Sequence, residues 1–166
     1  MDNASDMIRK MRMLALDFDG VFTDNRVFFS EDGKESVICS RADSLGIRML
    51  KEKRKDIYIV VISKEKNRIV SARCEKLGID SMSGVDGKLA TLKKAASSKG
   101  IGLEEVAYVG NDVNDLECIN SVGIGVAVAD AVPQVLKAAD IITKSKGGLG
   151  AIREFTDMLI DSKKRE

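Results

Sequence analysis

The sequence predicts an α/β fold in which a parallel sheet is covered by helices on both faces. Three observations carry that expectation. Short β-branched runs alternate with amphipathic segments along the chain. Two carboxylates, Asp17 and Asp19, stand directly after the first apolar run, at the end of an expected strand. And 166 residues with 44% hydrophobic and 32% charged content suffice for one domain with a substantial core, residues 1–166.

The expected strands are residues 13–17, 57–62, 106–109 and 125–128, with a weaker one at 141–143. Between them the helical pattern falls on 44–53, 69–77, 88–99, 115–121, 132–138 and 151–161. Asp43 or Ser44 is the expected cap of the first helix, and Pro133 suits a first helical turn. Gly100 fits a left-handed ending for the helix that begins at Lys88. One segment breaks the alternation. Residues 26–30 and 34–40 flank Glu31-Asp32-Gly33, a hairpin signal. Phe28, Phe29, Val37 and Ile38 give this ribbon apolar side chains on both faces, so self-association through it is expected.

Composition excludes several functions. A net charge of +1 provides no general attraction to nucleic acid or to an anionic membrane. No apolar run reaches the roughly 20 residues that span a bilayer, and the first residues lack a signal-peptide core, so a cytoplasmic location is expected. Cys39, Cys74 and Cys118 are odd in number and widely spaced, which reads as reduced thiols. There is no histidine, which removes imidazole-based triads and zinc sites. Catalysis must rest on carboxylates, amides, hydroxyls and lysine.

Such groups recur at the strand ends. In a strand, positions i and i+2 share a side, so Asp17 and Asp19 are expected to crowd one space. Two charges about 4 Å apart at an effective dielectric of about 20 repel by roughly 4 kcal/mol, which a divalent cation would relieve. Gly20 lets the backbone turn beside them. Ser63 ends the second strand, Lys88 opens a helix, and residues 110–115 (Gly-Asn-Asp-Val-Asn-Asp) follow the third. In an open parallel sheet these carboxyl ends line one crevice.

That order resembles the four motifs of the haloacid dehalogenase-like phosphatases. Asp17-Phe18-Asp19-Gly20-Val21 matches the first motif, Ser63 the second, Lys88 the third and residues 110–115 the fourth. The resemblance implies a Rossmann-like three-layer fold with no cap domain. It implies Asp17 as nucleophile, Asp19 as general acid and base, and Ser63 with Lys88 on the phosphoryl oxygens. Magnesium would be held by Asp17, Asp19 and the fourth motif, through Asn111 and Asp112. Asn111 departs from the pattern, which usually has an acid there. The lost charge is expected to weaken magnesium binding by about 1–3 kcal/mol, with Asp112 or Asp115 as possible compensation.

Within that family the chain is similar to capless phosphatases of 2-keto-3-deoxy sugar acids, which carry a hairpin after the first motif and assemble as homotetramers. Residues 43–47, 126–131 and 147–154 extend the match, and the glycines at 147–150 are expected to form a mobile loop entering a site. Glu65, Arg73 and Lys76 match residues of the nine-carbon group that contact the sugar acid across a subunit boundary. They favour a nonulosonate 9-phosphate substrate, with 3-deoxy-octulosonate 8-phosphate as the alternative. A catalytically weak assembly module is the rival class. A receiver domain is disfavoured because its phosphoacceptor belongs on a middle strand.

Overall fold

A computed structural model describes residues 3–163. Among the described residues, six strands form one sheet in the order β5-β4-β1-β6-β7-β8, parallel throughout. Its strands are β1 (Met13–Leu16), β4 (Tyr58–Ile62), β5 (Asp80–Met82), β6 (Val106–Gly110), β7 (Ile124–Ala127) and β8 (Ile141–Ile142). A separate antiparallel pair, β2 (Phe28–Phe29) and β3 (Glu35–Ser36), forms the hairpin. The helices are α1 (Asn3–Lys10), α2 (Arg41–Lys53), α3 (Ile69–Leu77), α4 (Lys88–Ser98), α5 (Leu116–Ile119), α6 (Pro133–Ala138) and α7 (Ala151–Asp161). One layer groups α1, α2, α3 and α7, and the other α4, α5 and α6. No helix among the described residues is long and apolar enough to cross a membrane.

β1 is wholly buried in the middle, its residues 13–16 paired with β4 on one side and β6 on the other. A strand covered on both faces reads as a continuous apolar run, which Met-Leu-Ala-Leu is. The connections leave β1 in opposite directions, toward β4 and β5 and then toward β6, β7 and β8. The crevice at such a reversal lies at the carboxyl ends of the strands. Asp17, Ser63 and residues 110–115 all stand there.

Several expectations shift. The first strand ends at Leu16 rather than Asp17, although Asp17 N still donates to Val109 O at 3.0 Å. Neither Asp43 nor Ser44 caps α2. Ser40 does, its hydroxyl accepting from Ala42 N at 3.1 Å and Asp43 N at 3.4 Å. Asp43 instead accepts from Arg153 N at 2.8 Å in the first turn of α7. Pro133 opens α6, and Gly100 has φ +63° after α4, both as expected. Residues 113–115 are a 3-10 turn that shortens α5 to one helical turn. The hairpin pairs only two residues per strand.

Two elements lie outside the expected set. β5 reads Asp-Ser-Met, poor in β propensity, and exists because Val60, Val61 and Ile62 offer it a ladder. α1 is held by tertiary contacts, above all by Arg54. This buried guanidinium donates to Leu159 O at 2.9 Å and Met11 O at 3.0 Å, tying α1 and α7 to the end of α2. It also pairs with Asp56 at 3.0 Å and, with help from Lys163, draws that carboxyl down to about 2. Stability from Asp56 is therefore present above the ordinary carboxylate range and lost as pH falls from about 4 to about 2. Arg54→Ala strands buried carbonyls and leaves a cavity. We expect a loss of about 2–4 kcal/mol in urea unfolding; a loss below about 1 kcal/mol would remove Arg54 from this role.

Candidate active site

The site is built on turns that follow β1, β4 and β6 and on the first residue of α4. After Asp17 the chain folds into a tight turn, with Val21 N and Phe22 N both donating to Phe18 O. Phe18 and Phe22 bury their rings against each other, centroids 5.3 Å apart, and anchor the turn in the core. Gly20 has φ +82°, and a Cβ there would overlap the Asn111 amide at 2.0 Å. Glycine at 20 is what lets Asn111 close on the turn.

Lys88 is the electrostatic centre. It is 4% exposed, and its ammonium lies 2.7 Å from Asp17 Oδ1 and 2.7 Å from Asp115 Oδ1. A cation at a helix start opposes the helix dipole by a few tenths of a kcal/mol, which two carboxylates outweigh. Burial alone would lower the Lys88 pKa, but Asp17 and Asp115 together raise it. Asp115 is fully buried and fully engaged. Besides Lys88 it accepts from the Tyr108 hydroxyl at 2.7 Å, Asn111 N at 2.9 Å and Asp112 N at 3.3 Å. Tyr108 was not foreseen, although a lone phenol in the apolar run of β6 was the available signal. Burial, then Asp115, holds its hydroxyl protonated far above the usual range.

The two acids of the first motif differ in burial and in the charges that act on them. Asp17 is buried, and burial followed by Asp115 pushes its carboxyl up to about 7 against the pull of Lys88. Asp19 is half-buried at the mouth. Burial, then Glu65 and more weakly Glu35, raises its pKa, with Lys88 opposing.

A corner for a hard cation is present. The Asn111 amide atom that faces the turn lies 3.2 Å from Asp17 Oδ2 and 3.0 Å from the Asp19 carbonyl oxygen. With nitrogen in that place the amide donates to both. With oxygen there, the amide lies from each of the other two acceptors at a spacing close to the roughly 3 Å edge of an octahedron with metal–oxygen bonds of about 2.1 Å. One carboxylate, one carbonyl and one amide thus fit magnesium. No cluster of three carboxylate or thiolate groups suited to a metal occurs among the described residues. Asp112 turns its carboxylate to Val113 N at 2.7 Å, capping the 3-10 turn.

Ser63 is buried, with its hydroxyl accepting from Glu65 N at 3.1 Å. Glu65 lines a cleft of about 210 Å³ with Asp19, Arg26, Glu35, Val37 and Asn67. Asn67, unforeseen in the sequence, donates to Glu35 at 3.1 Å and Glu65 at 3.3 Å, joining the hairpin to the loop after β4. Arg73 and Lys76 share the α2-facing side of α3 and stay out of this cleft. Arg73 donates to the Ser44 hydroxyl, and Lys76 lines a groove with Arg48, Lys51 and Lys55. The glycines at 147–150 do not enter the crevice as a mobile loop. They pack behind the first motif, Gly148 N donating to Val21 O at 2.9 Å.

Comparison with known proteins places this geometry. Residues 45–155 match the family model of the haloacid dehalogenase-like hydrolases. The chain belongs to that family. The 3-deoxy-D-manno-octulosonate 8-phosphate phosphatase of Escherichia coli K12 is 37% identical over 161 residues, which cover 95% of this chain and 85% of the relative. The crystal structure of the phosphatase of that name from Yersinia pestis superposes with a TM-score of 0.94 at 32% identity, covering 99% of this chain and 88% of the other. The one from Moraxella catarrhalis, in complex with magnesium, phosphate and KDO, gives 0.92 at 29% identity, covering 98% and 92%. Within the haloacid dehalogenase-like family the chain falls with these relatives, and it is a phosphatase.

The buried trio of Asp17, Asp115 and Lys88 sums to one negative charge when both acids ionise. A folded-state value above the unfolded 3.8 means that the folded protein holds the Asp17 proton more tightly. The Asp17 contribution to stability is then fully present below about pH 4 and is lost as pH rises through about 7 in metal-free protein. Asp17→Asn removes this penalty. In chelator at pH 8 it should melt roughly 3–6 °C above the parent and flatten the profile of Tm against pH. A lower Tm at pH 8 would mean that the ion pair with Lys88 outweighs the burial cost.

Proposed function

We propose that the protein is a magnesium-dependent phosphomonoesterase acting on the phosphate ester of a 2-keto-3-deoxy sugar acid through an aspartyl-phosphate on Asp17. The observation that carries this reading is the division of labour between the two oxygens of Asp17. Oδ1 sits on Lys88 at 2.7 Å, while Oδ2 faces the Asn111 amide, which also meets the Asp19 carbonyl. Asp17 Oδ1 attacks phosphorus, and the bond from phosphorus to the sugar oxygen breaks. Asp19, at the mouth of the site with its pKa raised by burial, delivers a proton to the departing alkoxide. Asp19 then takes a proton from water, whose oxygen attacks phosphorus and frees both Asp17 and phosphate. Lys88 and Ser63 bind the phosphoryl oxygens, and charge there is worth most in a dry site. Asp17, the Asp19 carbonyl and Asn111 would hold magnesium, which would supply further positive charge to the phosphoryl oxygens.

The activity named for the relatives supports the eight-carbon ester, 3-deoxy-octulosonate 8-phosphate, over the nine-carbon ester that the sequence favoured. Glu65 keeps the nine-carbon reading alive. The cleft wall formed by Glu35, Asn67 and Glu65 offers acceptors to the hydroxyls of a polyol chain. Phosphate release with magnesium, compared on both esters, separates the readings. A kcat/KM about tenfold higher on the eight-carbon ester is expected, and Asp17→Asn should lower release roughly 10³-fold or more. The reverse preference, moved toward eight carbons by Glu65→Arg, would establish the second reading. No release from either ester overturns both.

We also infer a homotetramer formed through the hairpin. Phe28, Phe29 and Ile38 are 73%, 67% and 79% exposed. Apolar surface of that size on one ribbon marks an interaction site. Sedimentation at micromolar concentration should find a tetramer for the parent and smaller species for the double substitution Phe28→Asp, Phe29→Asp. A monomeric parent would exclude this assembly.

A further inference from the structure

The Asp19 carbonyl is one of the three oxygens at the cation corner, and its direction is fixed by groups that the reaction does not use. Its carbon is bonded to Gly20 N, so carbonyl and N–H lie in one plane and point in opposite directions. Whatever grips the Gly20 N–H therefore aims the Asp19 oxygen. That group is Thr23, which is fully buried. Its hydroxyl oxygen accepts from Gly20 N at 3.1 Å and from Asn25 N at 3.2 Å. Asn25, with φ +66°, completes the turn.

The turn is braced from behind by bare backbone. A Cβ on Gly147 would stand 1.7 Å from the Gly20 oxygen and 3.2 Å from the Thr23 oxygen. One on Gly148 would meet the Thr23 carbonyl carbon at 2.4 Å and Asp24 N at 2.5 Å. Gly148 N donates to Val21 O at 2.9 Å, and Gly147 N donates to Asp130 Oδ1 at 2.9 Å. Farther along, Gly150 N at 3.4 Å and Arg153 N at 2.8 Å donate to the buried Asp43 carboxylate. The segment between β8 and α7 is thus fastened at both ends and pressed on the turn between them.

We propose that Thr23, backed by Gly147 and anchored by Asp130, is a positioning residue that sets cation affinity by aiming the Asp19 carbonyl at the corner closed by Asn111. The inference rests on the magnesium reading above. Thr23 touches neither substrate nor cation and acts through the peptide plane.

Calorimetric titration of metal-free protein with magnesium chloride is the test, with phosphate release in parallel. Thr23→Val removes the hydroxyl at nearly constant shape. It should weaken magnesium binding about tenfold and leave KM for the sugar-acid phosphate unchanged, with lost turnover recovered at high magnesium. Thr23→Ser restores the acceptor and should restore affinity. Asp130→Ala, at an exposed position, should weaken binding about threefold in a protein of parental Tm, which keeps the test decisive if Thr23→Val folds poorly. If the parent binds magnesium and both Thr23→Val and Asp130→Ala bind it equally well, the positioning role is wrong. A parent that binds no magnesium overturns the underlying cation reading instead.

Discussion

The ion pair of Lys88 with Asp17 and Asp115 is the constraint around which the site is arranged. An ammonium that is 4% exposed persists only if carboxylates meet it, and one of those carboxylates cannot then be fully ionised at low cost. Each partner is fixed by a different element: Asp17 by the end of β1, Asp115 by the 3-10 turn after β6, and Lys88 by the start of α4. Bringing them together needs the central position of β1 between β4 and β6. Tyr108 and the amides of Asn111 and Asp112 use the remaining capacity of Asp115. Asp115 is thereby a holder of Lys88 and of the turn, while Asp17 keeps one oxygen for other work.

The sheet was legible in the sequence because its central strands are buried on both faces and therefore spell unbroken apolar runs. The same rule hid β5, whose Asp-Ser-Met owes its extended form to the neighbouring strand. It hid α1 as well, an eight-residue helix fastened through the Arg54 guanidinium. Cap positions were misread because Ser40, Asp43 and Ser44 are all good caps. Which helix each serves is a matter of packing: Asp43 reaches α7, more than a hundred residues away in sequence.

Motif order likewise brought Asp17, Asp19, Ser63, Lys88 and Asn111 to one crevice, since each ends a strand or opens a helix. What it missed are groups that act on other groups. Tyr108 steadies Asp115, Asn67 bridges two glutamates, and Thr23 holds a peptide N–H. Such residues have no spacing rule, because their partners come from the turn geometry. Strand periodicity also did not foresee which charges act on the acid pair: Asp17 feels Asp115 and Asp19 feels Glu65.

The main sheet finishes on one side with the three residues of β5 and on the other with the two of β8. Margins that short offer few free amides and carbonyls, too few to template the addition of another chain's strand. Continuation of the main sheet from molecule to molecule is thereby disfavoured. The hairpin stands apart from those margins and carries the exposed Phe28, Phe29 and Ile38.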